Sequence, residues 1–124
     1  MITALIISTV LLGANAAVIS SPPVSCYTIG PTFLDNNDAW YHMNRACKGY
    51  DNKAGAFQGF FSPLQTKSVC VNGPGNQKYD MSITNLNARE GFDLGDGDCE
   101  WRMGQINVDC VRGGEYDYKG WRFR

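Results

Sequence analysis

The sequence predicts an α+β fold: a small disulfide-stabilised domain in which an antiparallel sheet of about four strands is covered by two helices. Three observations predict it. Two stretches repeat apolar residues at helical spacing, one through Ala39, Met43, Ala46, Cys47 and Tyr50, the other through Cys99, Met103, Ile106 and Cys110. The intervening and following stretches are rich in β-forming residues and are punctuated by Gly, Pro and Asn. All five cysteines lie from Cys26 onward, behind an apolar leader.

The leader comes first. Residues 1–34 carry no side-chain charge, and Ile2 to Leu12 form an apolar run broken only by Thr3, Ser8 and Thr9. Gly13 and Ala14-Asn15-Ala16 follow, as at the cleavage site of a secretory signal peptide. The run is too short to cross a bilayer, so no stable membrane insertion is expected. Residues 1–16 are read as a signal peptide and residues 17–124 as one domain, secreted and extracellular. Residues 17–25, with Pro22-Pro23, read as an extended lead-in.

The run Asp35-Asn36-Asn37-Asp38 is rich in helix-capping residues and precedes a helix over 38–48 that Gly49 ends. Trp40, Tyr41 and Arg45 fall off its apolar stripe. A first strand is expected over 56–61, stopped by Ser62-Pro63, and a second over 66–72. Asn72-Gly73-Pro74-Gly75-Asn76 is a turn, and a third strand over 78–86 alternates Tyr79, Met81 and Ile83 with polar residues. These two strands should form a hairpin. A Gly- and Asp-rich loop over 87–97 leads to a second helix over 98–110, with Asp98 suited to its N-cap and Gly113-Gly114 as its stop. Residues 116–124 read as a last strand, with Trp121 and Phe123 on one face.

Composition bounds the partners. The net charge is −1 with both signs mixed, so the chain has no electrostatic footprint for nucleic acid. Cys26, Cys47, Cys70, Cys99 and Cys110 form a disulfide framework whose pairing the sequence leaves open, with one thiol left over. A single His and the absence of any Cys-x-x-Cys speak against zinc. The acidic run Asp93, Asp96, Asp98 and Glu100 lacks the loop length of a calcium site and suits a helix N-terminus instead. No cofactor or metal is expected. His42 has no evident acid–base partner, and Glu90, Glu100 and Glu115 form no recognisable catalytic pair, so the reading is non-enzymatic.

Several segments recur together in one family. They are Cys26-Tyr27-Thr28, Arg45-Ala46-Cys47, Val69-Cys70-Val71-Asn72, Asp98-Cys99, Asp109-Cys110 with Gly113-Gly114, and the terminal Gly120-Trp121-Arg122-Phe123-Arg124. As an ordered set, the chain resembles the fungal secreted glycan-binding proteins of the Y-three-like type over residues 26–124. The resemblance implies an αβα sandwich around an antiparallel sheet and a lectin-like, non-catalytic function. It also implies a sixth Cys a little beyond Arg124, so the odd count is read as a chain that stops short of it. An unpaired thiol in an oxidising compartment invites dimerisation.

Sugar binding needs aromatic faces for the apolar side of a pyranose, flanked by polar groups for its hydroxyls. Trp40-Tyr41-His42, Glu100-Trp101-Arg102 and Tyr116-Asp117-Tyr118-Lys119 have that make-up. Trp121 and Phe123 are read as core. Trp40, Tyr41, Trp101, Tyr116 and Tyr118 are the candidate ligand-binding residues, with glycans or glycoproteins as partners and a homodimer as a source of avidity. The alternative function is a small secreted effector or toxin that meets a protein or membrane partner.

Overall fold

The computed structural model describes residues 24–124; the signal-peptide reading of 1–16 and most of the lead-in lie outside the described residues. The elements in chain order are β1 (Ser25–Cys26), α1 (Asn36–Lys48), β2 (Phe60–Phe61), β3 (Thr66–Asn72), a 3₁₀ turn (Pro74–Asn76), β4 (Lys78–Asn85), β5 (Phe92–Asp93), α2 (Asp96–Asp109), β6 (Gly114–Tyr118) and β7 (Trp121–Phe123). The larger sheet has the order β1-β6-β7-β4-β3, with every neighbouring pair antiparallel; β2 and β5 form a separate pair.

Helix α1 starts where the capping run predicts. The Asp35 carboxylate accepts from the amides of Asn37 and Asp38 at 3.0 and 3.1 Å. Gly49 ends the helix at φ +78, and a Cβ there would collide with the Lys53 carbonyl, so glycine is required. Next, the amide of Phe57 donates to the carbonyl of Ala46, which α1 leaves unpaired. This contact is why the strand expected over 56–61 shrinks to Phe60–Phe61. The backbone at Phe57 closes the helix end instead of pairing in a sheet, and its ring enters the core.

The hairpin of β3 and β4 forms as expected, with Val69 opposite Met81 and Cys70 opposite Asp80. The loop expected over 87–97 contains β5, which pairs Phe92 with Phe61. Helix α2 begins earlier than expected. Gly95 is its N-cap, and Asp98 lies with Asp96 inside the first turn, where negative charge favours the helix dipole without a side-chain capping bond. The expected last strand is two strands. Lys119 and Gly120 adopt φ +49 and +86 and fold β6 back on β7, with Tyr118 opposite Trp121.

Alternation along the strands separates two faces. Met81, Ile83, Tyr116 and Phe123 are buried against Met43, Ala46 and Cys47 of α1 and Cys99, Met103 and Ile106 of α2, and Tyr79 is buried beside Phe33 and His42. Cys70, Asp80, Asp117, Arg122 and Arg124 are exposed on the opposite face. The α+β class, the antiparallel sheet and the two helices are as the sequence predicts. Both helical stripes converge on one core, so among the described residues the two helices share one side of the sheet.

Two disulfides staple this arrangement. Cys47–Cys99 joins α1 to α2, and Cys26–Cys110 joins β1 to the C-terminal end of α2. Cys70 is free and exposed. The hydrogen bond to Asp80 pushes its thiol pKa up, desolvation and the Asp80 charge add to this, and Lys78 opposes it. A raised pKa means less thiolate at a given pH. Asp80→Ala is therefore expected to speed iodoacetamide alkylation of Cys70 near pH 8 by several-fold, measured by intact mass. An unchanged rate would remove Asp80 as the cause.

Asn85 is the buried polar side chain of the sheet, 1% exposed. Its amide donates to the carbonyls of Phe61, Ser62 and Glu90, and its oxygen accepts from the amide of Asn87. One side chain thus ties the end of β4 to two loops. Asn85→Ala leaves those groups unsatisfied and is expected to cost about 2–3 kcal/mol in urea unfolding. A loss below about 0.5 kcal/mol would show that solvent replaces the amide.

Candidate functional site

The second helix has two useful stripes. Cys99, Met103, Ile106 and Cys110 face the core. Beside them, Gly97, Trp101, Gly104 and Val108 recur at i, i+4, i+7 and i+11 and line a groove with Trp40 of α1. Glu100 and Gln105 complete its walls, and the groove has a volume of about 420 Å³. Trp40 and Trp101 are 43% and 64% exposed.

The glycines make the groove. A Cβ at Gly97 would meet nothing within 4 Å, and one at Gly104 would meet only the terminal methyl of Met43 at 3.6 Å. Larger residues would fit sterically at both positions and would fill the space beside Trp101. The two indoles therefore flank an open trough. Its polar edge is supplied by Glu100, which lies 3.7 Å from Lys48 of α1, and by Gln105, whose amide donates to Asp109 at 2.9 Å. An apolar wall with a few polar groups at the rim is the usual chemistry of a small-ligand site.

Of the five candidate residues, the fold brings Trp40 and Trp101 together. Tyr41 is adjacent on α1 and 51% exposed, but it does not line the groove. Its hydroxyl accepts from Arg45 at 2.7 Å, and the Arg45 guanidinium stacks between the rings of Tyr41 and Tyr50 at 5.0 and 3.5 Å. Tyr118 is half-buried, with the Arg102 guanidinium 3.6 Å from its ring centre. That face is already covered. Tyr116 is buried, its hydroxyl donates to the Arg102 carbonyl at 3.1 Å, and burial pushes its phenol pKa up. Tyr116 therefore belongs to the core, and Tyr118, two residues on in β6, lies on the same inward face and packs against that core, while Asp117 between them points outward.

Val108, Gly97, Gly104 and Gln105 were not singled out from the sequence. The signal was present, because the 97-101-104-108 spacing parallels the core stripe. It was masked because two of its members are glycines, which carry no hydropathy signal of their own. The acidic run is dispersed: Asp96 accepts from Gln58 at 2.9 Å, and among the described residues no three potential metal ligands converge. Also among the described residues, no helix is long and apolar enough to cross a membrane.

No protein-family model matches the chain, and no curated protein matches it by sequence.

Proposed function

We propose that this is a secreted, non-catalytic, lectin-like protein that binds glycans in the groove between α1 and α2. The observation that carries the reading is that Trp40 and Trp101, from different helices, share one open trough with Glu100 and Gln105. A pyranose presents C–H groups on one face and hydroxyls at its edge. Indole faces suit the first, and the carboxylate and amide suit the second. Secretion is supported by the apolar leader and by the disulfides. A single shallow groove gives modest affinity per site, so paired copies would gain by avidity.

The test is binding of the oxidised, labelled protein to a broad glycan array, with reduced protein alongside. Reproducible binding to a set of related glycans, lost on reduction, is the expected result. A blank array from protein shown to be folded would overturn the reading.

One observation favours the alternative, a secreted effector or toxin with a protein partner. Val108 at the end of the groove is 76% exposed, and Val111 and Ile29 are also exposed apolar residues. Exposed apolar surface of this kind marks interaction sites. Binding to a target that free sugar fails to compete would favour that partner.

A further inference from the structure

The charge around the Trp40–Trp101 groove is one-sided. Among the described residues that line it, Glu100 is charged and none is Lys or Arg. Helix α2 also carries Asp98 and Asp109, both exposed, against a single cation, Arg102. Arg102 is engaged elsewhere, with its guanidinium 3.6 Å from the Tyr118 ring centre. On α1, Arg45 is held between the rings of Tyr41 and Tyr50. Lys48 is left as the cation at the edge of the groove, 3.7 Å from Glu100.

Helical spacing sets these acids around Trp101. Asp98 precedes it by three residues and Gln105 follows it by four, so both are its neighbours on the helix surface. The Gln105 amide donates to Asp109 at 2.9 Å, which brings that carboxylate to the same rim.

Indole faces and carboxylates share one preference. The face of an indole ring carries negative potential and attracts a cation placed over it. A carboxylate attracts the same cation and accepts its N–H groups. Both repel an anion. Lys48 already shows an ammonium drawn to Glu100. Its side chain is 51% exposed, and an ion pair so open to solvent is weak and exchangeable. A ligand ammonium held by a ring face and the carboxylate at once competes with it on favourable terms.

We infer that the groove selects a protonated amino sugar, a pyranose bearing a free ammonium group, with its ring against the indoles and its ammonium on Glu100. Acidic sugars are rejected by the same charges. N-acetylated sugars keep the ring contact and lose the ionic one. The inference rests on the glycan reading of this groove and deepens it by naming the sugar class.

The test is calorimetric titration of the intact, oxidised protein at about pH 6, where a sugar amine is protonated. The probes are a glucosamine trimer, its fully N-acetylated counterpart and a galacturonic acid trimer. The glucosamine trimer is expected to bind at least about tenfold more tightly than the N-acetylated one, and the galacturonic acid trimer not at all. Glu100→Gln should weaken glucosamine binding about tenfold and narrow its lead over the N-acetylated trimer. Lys48→Ala removes the competing ammonium and should strengthen glucosamine binding about twofold. Failure of the glucosamine trimer to bind, equal or tighter binding of either other trimer, full glucosamine affinity in Glu100→Gln, or a fall in affinity in Lys48→Ala would each overturn the inference. The glycan reading would survive any of these and falls only with a blank array.

Discussion

On the glycan-binding proposal, replacing Trp40 and Trp101 together by Ala is expected to abolish glycan binding while the protein stays folded. Aromatic anchors of this kind typically cost about 2 kcal/mol or more each when truncated. Two such losses lower affinity by at least about a hundredfold, which takes a modest lectin site below detection. The fold loses little. Both indoles lie off the buried stripes and remain 43% and 64% exposed. Replacements at such surface positions usually change stability by about 0.5 kcal/mol, so the melting temperature should fall by no more than about 5 °C. Array binding and a thermal melt on the same sample separate the outcomes. Retained binding moves the site away from the groove. A collapsed melting temperature shows that the indoles are structural.

Removing the Cys47–Cys99 bond by a double change to Ala is expected to be strongly destabilising. The bond closes a loop across a sequence separation of 52 and joins two residues that are each 1% exposed. Chain-entropy arguments put the loss at about 4 kcal/mol. For a domain of this size that lowers the melting temperature by about 15–30 °C. Changing both residues matters, because a single change would leave a thiol free to exchange with Cys70. Cys70→Ser is the control. Cys70 is unpaired and exposed, so its replacement should shift stability by no more than about 0.5 kcal/mol. Equal effects from the two variants would show that the helix–helix bond is not holding the core.

The two helices were legible because their buried residues recur at helical spacing, and the β3–β4 hairpin because its turn residues and alternation agree. The misreadings share a cause: short-range pattern was overruled by a partner distant in sequence. The segment 56–61 has the composition of a strand, yet its backbone is claimed by the end of α1. Residues 116–124 look continuous because Lys119 is an ordinary residue in a left-handed turn position. For the site, the off-stripe positions of Trp40 and Trp101 pointed correctly to exposure. Tyr116 and Tyr118 could not be separated from them by composition, since burial of Tyr116 depends on where α2 crosses the sheet.

Helix α2 is anchored at both ends, through Cys99 to α1 and through Cys110 to β1. Trp101, Gly104 and Val108 all lie on the span between these anchors, and Trp40 faces them from the helix that the first anchor holds in place. A chain kept reduced therefore has no fixed spacing between its two indoles. If the groove is the binding site proposed above, oxidation is the step that arms it: a copy kept reduced carries the residues of the groove without its fixed shape.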